Sequence, residues 1–211
     1  MEVIIGVDES GTGAWAGPYT VTALAAYVHE SDLLRKAGGT DSKKMTDINR
    51  RAAINAISEI ALFAHTSFVS VAVLDLHKKT AWRNAVVASV THVAACLQGR
   101  GIPMTSVSVV IDGLCDWRTE RRITDELKIT QVRFLTGAED QVPAVGAASV
   151  FAKTERNDAM RELHETYPVY GWGKNFGYGT QEHKEAILRY GRSPEHRDIK
   201  VEVLGWSKRT P

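Results

Sequence analysis

The sequence has few cysteines, no long apolar run and almost no net charge. Its two cysteines, Cys96 and Cys115, have no metal-binding spacing, and 211 residues with one such pair exclude a disulfide scaffold. No apolar run reaches membrane-spanning length and the chain starts on a predicted strand, so we expect a cytoplasmic protein without a membrane partner. The net charge of +1 gives no global signal for nucleic acid, so such binding needs a local basic face or a bound cation.

Predicted strands and helices alternate along the chain, and this alternation favours one α/β domain. The patterns predict strands at 3–7, 19–28, 65–74, 107–111 and 128–135, the first two as a hairpin. They predict helices at 48–62, 80–97, about 145–164 and 181–190, whereas 29–39 and 118–127 are predicted as loops with short helical turns. No repeat or low-complexity linker divides the chain. We expect a single domain over 1–211, with an α/β core to about 165 and a helical C-terminal extension from about 166.

The first predicted strand ends on two adjacent acids, Asp8 and Glu9, and the turn Gly11-Thr12-Gly13 follows. An uncompensated charge beside a core is unfavourable, so a divalent cation would account for the pair. The glycines would let a phosphate or sugar approach the backbone. The alternative is a strand that stops where polar residues begin, followed by a solvated turn. Because neighbouring strand residues point to opposite faces, we expect Glu9 to lie where the strand breaks.

Acids also follow two other predicted strands, at Asp112 and at Glu139-Asp140. Strand ends converge in space, and clustered carboxylates repel one another unless cations hold them. Oxygen ligands without His or Cys partners favour Mg²⁺ or Mn²⁺, and such a site suits two-metal phosphoryl chemistry. Most histidines are predicted to be surface or packing residues, and His183 is the one expected near the site.

Six segments together resemble the type 2 ribonucleases H, most closely ribonuclease HII. They are Gly6–Gly13 with Ala16-Gly17-Pro18, then Asp41-Ser42-Lys43-Lys44, Ile111-Asp112-Gly113, Ala147–Lys153, Gly177-Tyr178-Gly179-Thr180 with His183, and His196-Arg197. The resemblance covers nearly the whole chain. It implies a ribonuclease H-like mixed sheet flanked by helices, with a helical C-terminal extension. It also implies metal-dependent cleavage of the RNA strand of RNA–DNA hybrids, leaving 5′-phosphate and 3′-hydroxyl ends.

The same resemblance implies the roles of individual residues. Asp8, Glu9, Asp112 and Glu139 would bind a pair of Mg²⁺ or Mn²⁺ ions, with Asp140 as the alternative fourth ligand. Backbone amides of Gly11, Thr12 and Gly13 would approach the 2′-hydroxyl, and Tyr178 would stack on the sugar at the RNA–DNA junction. Lys43 and Lys153 would face phosphates, although solvated lysines are the alternative. Ser149 is also expected to bind substrate, and it shares one helix face with Lys153 and Arg156. The partner that the resemblance implies is an RNA–DNA hybrid, and we expect a monomer.

Two positions depart from the ribonuclease HII pattern. In its first motif that pattern has Gly-Arg-Gly, whereas this chain has Gly11-Thr12-Gly13. At the fourth acid the pattern has Asp, whereas counting back four residues from Pro143 places Glu139 there. Both departures resemble ribonuclease HIII, whereas the segment at Tyr178 resembles ribonuclease HII. A hybrid-only nuclease of the HIII type is therefore an alternative, as are a fold that only binds nucleic acid and, more remotely, an actin-like or sugar-kinase-type ATP-binding protein.

Overall fold

The computed structural model describes residues 1–39, 42 and 45–198 of the chain. Its strands are β1 (Val3–Ser10), β2 (Tyr19–Tyr27), β3 (Phe63–Val69), β4 (Val107–Asp112) and β5 (Gln131–Leu135). They form one sheet in the order β3-β2-β1-β4-β5. The pairs β1–β2 and β2–β3 are antiparallel, while β1–β4 and β4–β5 are parallel. The mixed sheet and the opening hairpin are as expected.

Helices cover both faces of the sheet. They are α1 (Ser31–Lys36), α2 (Asp47–Ile60), α3 (Val71–Gly99), α4 (Trp117–Leu127), α5 (Ala138–Gln141), α6 (Pro143–Thr166), α7 (Trp172–Asn175) and α8 (Gln181–Tyr190). One face packs against α3 and α4, and the other against α6 with α1, α2 and α5. This arrangement confirms the expected α/β class. None of the helices in the described ranges is both long and apolar enough to cross a membrane.

The sheet and α6 come unusually close at Gly6 in the middle of β1. A Cβ on Gly6 would lie 2.2 Å from the carbonyl carbon of Ala144 in the first turn of α6. Since β1 is buried between two helical layers, its glycine removes the side chain that would keep α6 away. The close approach brings Ser149 and Lys153 of α6 toward the end of β1.

A third apolar cluster attaches the C-terminal segment, residues 167–198, to the loop between β1 and β2. It contains Ala16, Met160, Tyr170, Trp172, Ala186 and Ile187. The main chain of His196 pairs with that of Ala16 in an isolated antiparallel bridge. The loop after β1 is therefore enclosed by this C-terminal segment. The division into one core and one extension stays a prediction.

Two element predictions are wrong. Residues 71–74 open α3 instead of extending a strand, because Val71 and Leu74 face the core while Val73 is 42% exposed. Val69, Val71 and Val73 alternate as in a strand, whereas Val71 and Leu74 have the spacing of a helix face, and so short an apolar run cannot distinguish the two. Residues 117–127 form a complete helix, α4, with Thr119 and Ile123 buried and Asp116 capping its first turn. Most of its residues are charged, so the spacing of its few buried residues did not predict a helix.

Candidate active site

The parallel pairing of β1 and β4 places two acids side by side at one sheet edge. Val7 is opposite Ile111, so the next residues in that register are Asp8 and Asp112. Both line a cavity of about 410 Å³ at the carboxyl ends of these strands. Ligands of open α/β sheets commonly bind at this edge.

Asp8 is the most deeply buried acid of the cavity, at 6% exposure. One of its carboxylate oxygens accepts a hydrogen bond of 2.7 Å from the main-chain N–H of Glu9. Burial raises the pKa of Asp8 to about 7, and the charges of Glu9 and Asp112 add to the effect, while a hydrogen bond from Ser149 opposes it. A charged Asp8 is therefore unfavourable in the absence of a cation.

Glu9 does not lie at a break in the strand, because β1 continues through Ser10. Its carboxylate instead takes the opposite face from Asp8, as strand geometry requires. Its Oε2 accepts a hydrogen bond of 2.9 Å from Nε1 of Trp82 on α3. Glu9 still borders the same cavity as Asp8 and Asp112, at its α3 side.

Asp112 connects the cavity to α5, which carries the candidate fourth acid. Its Oδ1 accepts a hydrogen bond of 2.9 Å from the main-chain N–H of Ala138. The next residue, Glu139, is 9% exposed, whereas Asp140 is on the exposed side of this short helix. Burial beside Asp112 favours Glu139 as the fourth acid, and the choice stays a prediction.

The donors around the cavity have the chemistry of a hard divalent cation. Asp8, Glu9 and Asp112 supply carboxylate oxygens, and no histidine or cysteine is among the lining residues. Among residues 1–39, 42 and 45–198, no three acids, histidines or cysteines stand close enough to hold one ion together. Burial raises the pKa of Asp8, so a positive charge beside this carboxylate would be favourable.

Another part of the cavity wall is formed by the Gly11–Gly13 turn, Lys153 and Tyr178. Nζ of Lys153 lies 3.3 Å from the hydroxyl oxygen of Tyr178 and 4.8 Å from its ring centroid. Arg156 approaches the same ring at 5.2 Å. Burial raises the pKa of Tyr178, but the positive charges of Lys153 and Arg156 outweigh it and leave the pKa below its ordinary value. This wall is therefore electropositive.

Ser149 is behind Asp8 and does not line the cavity itself. Its hydroxyl lies 2.9 Å from that of Ser42, which does reach the cavity. Lys43, the neighbour of Ser42 in the second motif, is outside the described residues. The structure thus brings together Asp8, Glu9, Gly11, Thr12, Gly13, Asp112, Lys153 and Tyr178 around one cavity, with Ser149 and Glu139 adjoining it.

Two buried histidines, His183 and His196, support the main chain at Tyr178. His183 Nδ1 donates to the carbonyl of Tyr178 over 2.9 Å, which leaves its Nε2 to accept from Trp172 Nε1 at 3.0 Å and from His196 Nε2 at 3.1 Å. This network assigns neutral tautomers to both rings. Burial lowers the pKa of His183, and burial together with His183 lowers that of His196 to about 4. His183 adjoins the site, as expected.

The order and placement of these segments match a known family. A family model of ribonuclease HII matches residues 5–202 of the chain. The chain belongs to the ribonuclease HII family. A ribonuclease HII from Chlorobium luteolum is 34% identical over 206 residues, which cover 96% of this chain and 90% of that protein. Membership makes the chain a ribonuclease H, an endonuclease of the hydrolase class, and the family acts on RNA–DNA hybrids.

Solved structures of ribonucleases H share the fold. Ribonuclease HII in the PCNA:RNase HII complex from Archaeoglobus fulgidus superposes with a TM-score of 0.69 at 26% identity, and the match covers 92% of each chain. Bst-RNase HIII in complex with Mn²⁺ superposes with a TM-score of 0.71 at 20% identity, over 96% of this chain and 64% of that one. The sheet and helices that surround the cavity therefore have the architecture of ribonucleases HII and HIII.

Sequence reasoning missed two residues at this ribonuclease HII site, Trp82 and Ser10. Ser10 shares the face of Asp8 by the two-residue period of a strand, so the pattern could have predicted it. Trp82 is 73 residues from Glu9, and no local pattern connects them. Its indole N–H was the available signal, since a half-buried indole donor needs a partner.

Proposed function

We propose that this ribonuclease HII family member is a divalent-metal-dependent endonuclease that cuts the RNA strand of RNA–DNA hybrids and also cuts at single ribonucleotides in duplex DNA. The products would carry 5′-phosphate and 3′-hydroxyl ends. The observation that carries the proposal is a cavity whose lining combines three carboxylates with a glycine turn, a lysine and a tyrosine.

The acids are the groups that would hold the ions. Asp8, Glu9 and Asp112, with Glu139 next to them, offer oxygen ligands, and the raised pKa of Asp8 supports a cation there. Mn²⁺ bound by Bst-RNase HIII, which has the same fold, favours the same class of ion. Bound in this way, divalent ions activate water and stabilise the leaving oxygen in phosphodiester hydrolysis.

The glycine turn, Lys153 and Tyr178 would bind and orient the substrate. Lys153 would contact a phosphate through Nζ, which already lies beside the Tyr178 hydroxyl. The main-chain amides of Gly11, Thr12 and Gly13 would meet the 2′-hydroxyl, the group that distinguishes RNA from DNA. The ring of Tyr178 would pack on the sugar at the junction. Lys43, outside the described residues, would add a further phosphate contact.

Recognition of a lone ribonucleotide is assigned to the main-chain amides of residues 11–13 and to Tyr178. Neither group needs an arginine at position 12. The amides belong to the backbone, and the carbonyl of Tyr178 is held by His183. Thr12 removes one positive side chain but no amide. The alternative, cleavage of hybrids alone, is favoured by the ribonuclease HIII-like Thr12 and Glu139.

Two labelled duplexes test the proposal, one with an all-RNA strand and one with a single ribonucleotide in DNA, each with Mg²⁺, Mn²⁺ or EDTA. We expect both to be cut only with a divalent ion, and ligation of the products to reveal 5′-phosphate ends. Asp112→Asn should abolish cleavage, while the exposed Asp125→Asn on α4 should retain it. Cleavage of the all-RNA strand alone would establish the hybrid-only alternative, and cleavage in EDTA would refute metal dependence.

A further inference from the structure

Two arginines from distant parts of the chain meet beneath the loop of residues 11–18. Arg156 of α6 has no exposed surface. Its Nε donates to the carbonyl of Pro18 over 2.9 Å, its Nη1 to that of Phe176 over 3.0 Å, and its Nη2 to that of Ala16 over 3.2 Å. A single guanidinium thus joins this loop to the segment that precedes Tyr178.

Arg197 reaches the same loop from the C-terminal segment. Its Nε donates to the carbonyl of Gly17 over 3.0 Å and its Nη2 to that of Pro18 over 2.9 Å, while its Nη1 donates to the carbonyl of Gly11. Both guanidinium groups therefore share the carbonyl of Pro18. The main-chain N–H of Arg197 also donates to the carbonyl of Trp15 over 2.9 Å.

Within the described ranges neither guanidinium forms an ion pair, and their side-chain hydrogen bonds all go to main-chain carbonyls. Burial of two like charges without a carboxylate partner is unfavourable, and multiple charge-assisted bonds offset it. An arrangement of this kind orients peptide groups, because each carbonyl that it fixes belongs to a rigid, planar peptide unit.

The peptide unit between Gly11 and Thr12 is the one that matters for the cavity. Gly11 has φ +93°, and a Cβ there would lie 2.1 Å from Nε of Arg156, so the turn rests directly on that guanidinium. Arg197 holds the Gly11 carbonyl on this inner side. In a trans peptide the N–H points opposite to the C=O. The amide of Thr12, an exposed residue that lines the cavity, therefore points outward.

We propose that Arg156 and Arg197 are positioning residues for ribose selection. By fixing the Gly11–Thr12 peptide plane on a buried pair of guanidinium groups, they present the Thr12 amide to the 2′-hydroxyl of a ribonucleotide. The inference rests on the proposed function, since it assigns the source of that selectivity. Neither arginine contacts the substrate itself.

The test compares how tightly the full chain binds two duplexes of one sequence, with and without a single ribonucleotide, by fluorescence anisotropy in EDTA. Arg197→Lys keeps the charge but loses the planar fork whose three nitrogens each donate to a different carbonyl. We expect its preference for the ribonucleotide to fall at least tenfold, with affinity for the DNA duplex within about twofold of wild type. Arg189→Lys, an exposed change on α8, should leave both affinities unaltered. Partial unfolding would lower both affinities together and leave their ratio intact.

A measurement on the unmodified chain complements the variant in case Arg197→Lys folds poorly. In protein labelled with ¹⁵N-threonine, the Thr12 amide resonance, assigned with Thr12→Ser, should shift with the ribonucleotide duplex and not with the DNA duplex. An equal response to both, or a folded Arg197→Lys that keeps the wild-type preference, would overturn the positioning role. Wild-type protein that cleaves neither duplex in the metal assay above would instead overturn the proposed function.

Discussion

Replacing Asp8 by asparagine should stabilise the metal-free protein, and more so as the pH rises. Asp8 is 6% exposed, and burial raises its pKa from 3.8 to about 7. Between these two values the folded state binds a proton that the unfolded state has released. The free energy of unfolding therefore decreases as the pH rises through this window, and the full penalty is present above pH 7.

The size of the effect follows from the two pKa values. At about 1.4 kcal/mol for each tenfold change in proton affinity, Asp8 destabilises the fold by about 1.6 kcal/mol at pH 5 and about 4 kcal/mol at pH 8. Asparagine has nearly the same shape and can still accept the 2.7 Å hydrogen bond from the Glu9 amide. Asp8→Asn should recover most of this free energy.

Urea unfolding in EDTA at pH 5 and pH 8 measures the difference directly. Asp125→Asn, a change at an exposed acid of α4, serves as the control and should alter the stability by less than about 0.5 kcal/mol at both values. Saturating Mg²⁺ should stabilise wild type more than Asp8→Asn, because the cation favours the charged carboxylate. A stabilisation that does not grow between pH 5 and pH 8, or a destabilised variant at pH 8, would refute the reasoning.

Three further outcomes follow from the site and its support. In single-turnover cleavage with Mg²⁺, Glu139→Gln should lose far more activity than Asp140→Asn, and the reverse order would identify Asp140 as the fourth ligand. Thr12→Arg should tighten duplex binding and steepen its salt dependence by about one unit of slope, as measured by titration at several salt concentrations, and an unchanged slope would contradict a phosphate contact. Gly6→Ala should lower the free energy of unfolding by about 1–3 kcal/mol in urea, because its Cβ would meet Ala144 at 2.2 Å, and a neutral effect would show that α6 can move away.

The sequence by itself determined the five strands, four of the eight helices in the described ranges and the neighbourhood of two acids. Buried strands have continuous apolar residues, and the polar residue that ends each one is visible in the chain. Asp8 and Asp112 each follow a buried apolar strand in the sequence. Because β1 and β4 pair in parallel, these two strand ends lie side by side at one edge of the sheet. The glycine turn and the tyrosine segment were recognisable from their residues. These signals are local, and neighbours along the chain encode them.

Tertiary structure decided which way the side chains face and what holds them. Glu9 turns toward Trp82 because β1 continues past it, and that partner is 73 residues away. The carbonyl of Gly11 is fixed by Arg197, 186 residues later, although His196-Arg197 appeared in the sequence only as a closing motif. Helix periodicity placed Arg156 on one face with Lys153 but could not distinguish a buried guanidinium from a solvated one. Such contacts depend on how the sheet, α6 and the C-terminal segment pack together, and no local period records that packing.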